Sequence, residues 1–230
     1  MIANHWHGCT WRVASRYLEG GHAVRNSAMF LLRKPSEDFI RDYLARQTGE
    51  SFSYDFVCET REEPRPRPGW NIDRLRVCLG RGEQAFHAAR QAIETWQMFP
   101  REVATLCWPA KPVEGLSVAV LYWAAPVRLW LLLAARVVYV INDSIERDGR
   151  RLERFGFAYG TLPDHPELGE ERFLVEWDKA TGSVEYEILA ISRPRHWLAR
   201  LGYPYTRYEQ GRFRRFSAAA MQRAVGARKS

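Results

Sequence analysis

The spacing of apolar residues predicts two helices in the first half of the chain. Pro35 and the polar residues 36–38 form a helix start, and apolar residues follow at spacings of three and four up to Leu44. A second helix is predicted at 83–98 and ends before Pro100. The apolar residues that share one face of this second helix are Phe86, Ala89, Ile93 and Trp96.

Alternation of apolar and polar residues predicts that most of the remaining chain is β-structure. Residues 51–60 alternate with the period of a half-buried strand, and the evenly spaced prolines of 61–70 predict an extended surface loop. After the second helix, strands are predicted near 102–109, 115–124, 128–142, 153–161, 171–178 and 183–192.

The last two predicted strands form a hairpin around the turn 179–182. Apolar residues alternate on both sides of this turn, with Phe173, Val175 and Trp177 opposite Val184, Tyr186 and Ile188. Helical spacing then returns over 206–225, where the apolar residues Phe213, Phe216, Ala220 and Ala224 are surrounded by arginines.

The order of these elements predicts an α+β fold. A curved antiparallel sheet of about seven strands would grip a long C-terminal helix, an order that resembles the helix-grip fold of the START and Bet v 1-like superfamily. In that fold an apolar cavity often lies between the sheet and the last helix. An α+β sandwich with a filled core would use the same elements, so the order alone leaves both architectures open.

Size and composition favour one domain. The 230 residues are 46% hydrophobic, which suffices for one core, and coherent patterning begins only at Met29. We therefore expect a domain at 29–230, preceded by a mobile tail or upstream-start extension at 1–28. The tail carries His5, His7, Cys9 and His22, but a tail rarely supplies a closed ligand geometry, so no metal site is expected. No feature of the chain calls for a cofactor.

The net charge of +7 is confined to one end of the chain. From Arg193 to Ser230 there are ten basic residues and the single acid Glu209, a net of +9 that leaves −2 for everything before it. No apolar run reaches the roughly 20 residues that span a bilayer, and arginines interrupt the N-terminus before a secretory core could form. Four widely spaced cysteines fit neither a disulfide scaffold nor a zinc site. A cytoplasmic location is predicted.

The most distinctive stretch reads GFAYGTLPDHPELGEERF from Gly156 to Phe173. Together with LGRGEQAF at 79–86, Ser192-Arg193-Pro194 and a late Gln210-x-x-Phe213, it resembles domain-of-unknown-function family 1990, also called uncharacterised protein family 0548. The resemblance covers roughly 29–225. It implies the helix-grip fold and no established reaction. Asp164 stands where the family more often has glycine, which still suits a turn.

Polar residues of this stretch suggest an enzyme hypothesis. His165 and a nearby carboxylate could perform acid–base chemistry near neutral pH. The candidate catalytic residues are His165, Glu167, Glu170 and Glu171. The alternative is structural, because the same groups could satisfy the backbone of a tight loop or pair with arginine, and no catalytic signature such as GxSxG or HExxH is present.

The favoured hypothesis is binding of a small apolar or amphipathic ligand between the sheet and the last helix. Aromatic residues alternate along the predicted strands, and polar residues near the helix could meet a head group. The candidate ligand-binding residues are Phe157, Tyr159, Thr161, Trp177, Tyr186, Arg193, Arg207 and Gln210.

Nucleic-acid or anion binding through the basic C-terminal helix is a third hypothesis. Arginines are interleaved there with aromatic residues, which offers both charge and stacking surfaces. The aromatic residues are also needed to pack the helix on the sheet, and no RNA-binding motif is present, so nucleic acid is a less favoured partner. Gly80-Arg81-Gly82 before a helix is a weak phosphate-loop signal, and Glu83 would compete with the phosphate. Protein partners cannot be inferred.

Overall fold

A computed structural model describes residues 29–100, 102, 104–107, 110–124, 128–195 and 203–226. The predicted tail at 1–28, with its histidines, lies outside the described residues. The strands are β1 (Met29–Leu31), β2 (Asn71–Arg81), β3 (Ala104–Cys107), β4 (Ser117–Ala124), β5 (Leu129–Arg147), β6 (Arg150–Thr161), β7 (Glu167–Asp178) and β8 (Ser183–Pro194). The helices are α1 (Glu37–Gln47), α2 (Gly82–Glu94) and α3 (Tyr203–Gly226).

The strands form one antiparallel sheet in the order β2-β8-β7-β6-β5-β4-β3, and β1 pairs with β5 beside this path. The sheet curves around α3, and α2 packs on the same concave side against α3, β2 and β7. The α+β helix-grip prediction is therefore confirmed. The hairpin register is also confirmed, because Phe173 pairs with Ile188, Val175 with Tyr186 and Trp177 with Val184.

The prediction of a strand at 51–60 is wrong. The strand that pairs with β8 at the edge of the sheet is β2, for which no element was predicted. Residues 51–58 form turns that lead into a short 3-10 helix, Glu59–Arg61, after Cys58 takes a left-handed backbone at φ 72°. This segment packs on the convex face of the sheet, where Phe52 and Val57 contact a cluster around Leu174.

The convex face also carries α1. Ser36 begins this helix, because its side chain accepts a hydrogen bond from the Phe39 N–H at 3.3 Å. Ile40 and Tyr43 then pack against Leu132 of β5, which buries the apolar face that the spacing predicted.

The concave side is filled at one end only. Phe86, Ile93 and Trp96 of the α2 region pack there on the sheet, together with Met221 and Val225 from the C-terminal half of α3. The N-terminal half of α3, from Tyr203 to about Phe216, has no fully buried residue. The helix thus closes a packed core with one half and covers a different region with the other.

Candidate functional site

A cavity of about 520 Å³ lies between the sheet and the N-terminal half of α3. Its apolar wall comes from the β4–β5 side of the sheet and from two phenylalanines at its inner boundary. The main apolar lining residues are Phe99, Val120, Leu129, Leu131, Leu133, Ala135 and Phe213.

The alternation of β5 explains the apolar wall. Leu129, Leu131 and Leu133 face the cavity and remain half-buried inside the protein, whereas Leu132 and Ala134 face α1 and are fully buried. Because successive side chains of a strand point to opposite faces, one apolar run supplies both the cavity wall and the contact with α1.

Two phenylalanines separate the cavity from the packed core. The ring centroid of Phe99 lies 5.3 Å from that of Phe213 on α3 and 5.6 Å from that of Phe173 on β7. Beyond them the concave side is solid, since Trp96 packs against Phe157 at 4.6 Å. The aromatic residues therefore set the depth of the cavity rather than its whole surface.

The other end of the cavity is polar and acidic. Glu167 and Glu171 of β7 and Asp73 of β2 line it from the sheet, and Gln210 and Arg214 line it from α3. Glu167 and Glu171 lie four positions apart on one strand, so their side chains lie on the same face.

Glu171 lies deep in the protein at this polar end of the cavity. Its Oε2 accepts a hydrogen bond from the Tyr159 hydroxyl at 2.6 Å. Burial, opposed by this hydrogen bond and by Arg214, raises the pKa of Glu171 from 4.5 to about 7. Burial and the nearby carboxylate raise the pKa of Tyr159, so the phenol keeps its proton and acts as the donor.

Glu167 and Asp73 have different partners. Both oxygens of Glu167 accept hydrogen bonds from Gln210 Nε2, at 2.8 and 2.9 Å, and burial raises the pKa of Glu167. Asp73 is instead neutralised by α3, because Arg207 donates to both of its oxygens and Arg214 lies 3.3 Å away. The charge of Asp73 is thus balanced by arginines. The carboxyls of Glu167 and Glu171 are in direct contact only with neutral amide and hydroxyl donors among the described residues.

A second polar contact ties α3 to β4. The hydroxyl of Tyr122 donates to Glu209, whose Oε2 also accepts from Arg212 at 3.0 Å. Burial and the glutamate raise the pKa of Tyr122, which keeps it protonated. The N-terminal half of α3 is therefore held over the cavity mainly by polar contacts.

His165 has a structural role in the turn between β6 and β7. Its Nδ1 accepts a hydrogen bond from the Glu167 N–H at 3.0 Å, and burial lowers the pKa of the imidazole to about 4. The preceding Asp164 adopts φ 70°, which explains why glycine is suitable there, and it accepts from Gln47 at 2.9 Å. The ring lines the cavity as a neutral group.

The carboxyl of Glu170 lies on the convex face, away from the two cavity glutamates. It accepts hydrogen bonds from the Tyr54 hydroxyl at 2.8 Å, from the Cys58 N–H at 2.9 Å and from the Thr60 N–H at 2.9 Å, and also from the Thr60 hydroxyl. Glu170 therefore fastens the 54–60 segment to the sheet, which corrects the expectation that His165 and all the carboxylates converge at one site.

The predicted ligand-binding residues divide between the cavity and its surroundings. Tyr159, Thr161 and Gln210 line the cavity, and Arg207 donates to Gln210 at 2.7 Å behind that wall. The structure does not bring the other four predicted residues to the cavity. Phe157 packs on Trp96, Trp177 packs on Phe86, the Tyr186 hydroxyl lies 2.9 Å from the Ser217 hydroxyl, and Arg193 stacks on Trp70.

Sequence reasoning missed several cavity residues. Asp73 was overlooked because β2 was not predicted, and the leucines of β5 were hidden within a run that is apolar on both faces. Tyr122 carries no motif. A detectable signal was the exclusion of charged residues from 129–135 on both faces of a long strand, which indicates that both faces are covered.

The arginines of α3 are partly committed to internal contacts. Arg207 and Arg214 bind Asp73 and Arg212 binds Glu209, while Arg215 and Arg223 are exposed. Within the described ranges, no group of three potential metal ligands occurs, and no described helix is long and apolar enough to span a membrane.

The fold and the cavity define a helix-grip protein whose interior space has an apolar wall and an acidic end. The chain belongs to the family described as Domain of unknown function (DUF1990), whose model matches residues 53–220. It is 36% identical over 215 residues to a UPF0548 protein of Dictyostelium discoideum, covering 86% of this chain and 96% of that protein. A UPF0548 protein of Deinococcus radiodurans is 32% identical over 219 residues, covering 86% of this chain and 100% of the relative.

Solved structures with similar folds have low sequence identity. Ara h 8.0201 matches with a TM-score of 0.41 and 8% identity over 69% of this chain and 99% of that chain. Truncated norcoclaurine synthase from Thalictrum flavum has a TM-score of 0.39 and 8% identity, covering 68% and 93%. Human STARD10 has a TM-score of 0.31 and 10% identity, covering 84% and 80%.

Proposed function

We propose that the protein binds a small amphipathic molecule in the cavity beneath α3. The observation that carries this proposal is the 520 Å³ space itself, with leucines of β5 on one side and a cluster of polar side chains on the other. Ligand sites are typically mostly apolar concavities with a few placed polar groups, and this cavity has that composition.

The size and the lining support a ligand with an apolar body. Leu129, Leu131 and Leu133 line the cavity and keep part of their surface accessible, and covering that surface would contribute about 25 cal/mol per Å². A polar head would then meet Gln210 and the carboxyls of β7. The ligand would take this orientation because the leucines and the polar side chains lie at opposite ends of the cavity.

Native mass spectrometry of gently purified protein tests the proposal. A reproducible adduct that is lost on denaturation, and that competes with the uncharged fluorescent probe N-phenylnaphthylamine, is the expected result. A clean apo mass combined with no uptake of the probe would overturn it, because an accessible apolar cavity should accept the probe.

Acid–base catalysis at Glu171 is a second candidate function. A carboxyl with a pKa of about 7 inside an apolar cavity has the proton affinity that general acid–base catalysis requires. Turnover of a bound ligand that disappears in Glu171→Gln, with binding retained, would support it. Turnover that persists in this variant would exclude Glu171 as the catalytic acid or base.

Nucleic-acid binding receives less support than ligand binding. Three arginines of α3 are engaged by Asp73 and Glu209, which leaves fewer charges for phosphate. Salt-dependent binding of RNA at low ionic strength would restore this alternative. A cytoplasmic location remains a prediction of the sequence, and cell fractionation tests it.

A further inference from the structure

Carboxyl groups outnumber cationic groups on the cavity wall. The acidic residues at the cavity are Asp73, Glu167, Glu170, Glu171 and Glu209, of which Glu170 turns its carboxyl to the convex face, and Arg214 is the only arginine among the described lining residues. Two of these acids are committed elsewhere, since Glu170 bonds the convex segment and Glu209 bonds Arg212. Asp73 is paired with the α3 arginines.

Glu167 and Glu171 are the remaining acids, and among the described residues neither is in direct contact with a cation, because Arg214 acts on both carboxyls only from a longer distance. Within the described part of the chain, neither carboxyl forms an ion pair: Glu167 accepts from the neutral amide of Gln210 and Glu171 from the neutral phenol of Tyr159. Both residues lie deep in the protein, yet both keep accessible surface, and that surface faces the cavity. A buried carboxylate without a cationic partner is unfavourable, so a positive charge brought into the cavity would be stabilised there.

We propose that the ligand carries a positively charged amine on an apolar body, with the amine bound at the end of the cavity that Glu167 and Glu171 line. This inference rests on the proposed function, because it names the head group of a ligand for the same cavity. The side chains already contacting the two acids are hydrogen-bond donors, so free lone pairs of the carboxyls are the groups left for the ligand. An ammonium supplies three donors and no acceptor, which matches acceptors that face an apolar space.

The geometry disfavours an anionic head. A carboxylate or phosphate placed at this end would meet Glu167 and Glu171 directly, and the nearest cations, Arg207 and Arg214, already bind Asp73. A neutral alcohol could accept from Gln210 and donate to a glutamate, but it would leave the carboxyl charge without a counter-ion. The expected order of affinity is therefore amine, then alcohol, then acid.

The test compares octylamine, octanol and octanoate as competitors of N-phenylnaphthylamine bound to the full chain at pH 8. At this pH the amine is charged and Glu171 is mostly ionised. Octylamine is expected to displace the probe at a concentration at least tenfold lower than octanol, and octanoate is expected to be the weakest. Equal potency of amine and alcohol, or preference for octanoate, would overturn the inference.

Variants of the two acids test whether they cause the preference for the amine over the alcohol. Glu171→Gln is expected to abolish most of the amine-over-alcohol preference while octanol still displaces the probe, and Glu167→Gln provides a second variant should the first fold poorly. Glu83→Gln, an exposed change on α2, is the matched control and should keep the preference. Uptake of the probe without amine preference defeats this inference alone, whereas no uptake of probe or competitor defeats the proposed function as well.

Discussion

Glu170 and Glu171 are adjacent in sequence, and their carboxyl groups lie on opposite faces of the sheet. Glu170 is fully buried and accepts hydrogen bonds from the 54–60 segment, whereas Glu171 faces the cavity and accepts one from Tyr159. The alternation of β7 thus assigns one acid to holding the fold and its neighbour to the site. The two residues should differ sharply when each is replaced.

Replacing Glu170 should destabilise the protein without a direct effect on the cavity. Glu170→Ala removes the acceptor of the buried Thr60 N–H and of the Tyr54 hydroxyl, and leaving such donors unsatisfied costs about 3 to 5 kcal/mol in total. Urea unfolding measures this loss. Glu63→Ala, which removes a surface ion pair with Arg74, is the matched control and should cost less than about 1 kcal/mol. A similar small loss for Glu170→Ala would contradict the assignment.

Glu171 should make the folded protein less stable as the pH rises from about 4.5 to 7. Its pKa is raised to about 7 in the folded state, so the folded protein holds a proton that the unfolded chain has released, and stability is lost across this window. The groups that face this carboxyl are Tyr159, Glu167, Asp73 and Arg214. Because Glu171 keeps accessible surface at the cavity, the loss is expected to be about 2 kcal/mol. Urea unfolding of wild type and Glu171→Gln at several pH values measures it.

The titration of His165 changes the free energy of unfolding in the opposite direction, and His165 is present both in wild type and in Glu171→Gln. Burial lowers its pKa from 6.5 to about 4, so the unfolded chain binds the extra proton and stability rises with pH between about 4 and 6.5. The difference between wild type and Glu171→Gln cancels this contribution. A difference that does not change between pH 4.5 and 7 would show that Glu171 titrates normally.

Filling the cavity from β5 should block ligand binding while preserving the fold. Leu131→Trp directs a larger side chain into the existing space, which costs little where a void is available. Uptake of N-phenylnaphthylamine should fall at least tenfold, with an unchanged circular dichroism spectrum. Leu32→Trp makes the same change at a position that is 84% exposed and outside the cavity, and it should bind the probe normally. Equal uptake by both variants would place the probe elsewhere.

Two glycines should respond oppositely to alanine. A Cβ at Gly156 on β6 would lie 2.2 Å from the Phe173 carbonyl oxygen, so the paired backbones of β6 and β7 must separate, at a cost of about 2 to 4 kcal/mol. A Cβ at Gly211 of α3 would lie 3.8 Å from the nearest atom, in the Arg215 guanidinium, and Gly211→Ala should stabilise the helix by about 1 kcal/mol. Thermal unfolding of the two variants gives the comparison. Comparable stability of both variants would contradict the close β6–β7 approach.

The sequence predicted the element order and the β7–β8 register because these depend on local alternation and on a short turn. It did not predict β2, because the concave face of that strand carries the charged Asp73, whose partner Arg207 is 134 residues away. The position of the cavity was also beyond reach. A register shift in β5 between Val137 and Tyr139 also moves Val140 to the face that the odd-numbered leucines occupied earlier in the strand, which alternation alone does not predict.

The candidate site was predicted in part for a similar reason. Tyr159 was predicted from the 156–173 stretch and Gln210 from the last helix, and both line the cavity. Phe157 and Tyr186 belong to the same aromatic pattern but lie where α2 fills the concave side. Aromatic alternation identifies the inner face of a sheet. Which part of that face is left open depends on where the helices end.

Under the proposed function, the two halves of α3 provide separate positions for stability and for ligand selectivity. Ser217, Met221 and Val225 are buried in the packed core, whereas Gln210 and Phe213 meet the cavity. Substitutions in the first half of the helix can therefore alter which molecule is accommodated while the second half keeps the helix in place. Relatives that share this scaffold can diversify in what they accommodate without rebuilding the core that supports it.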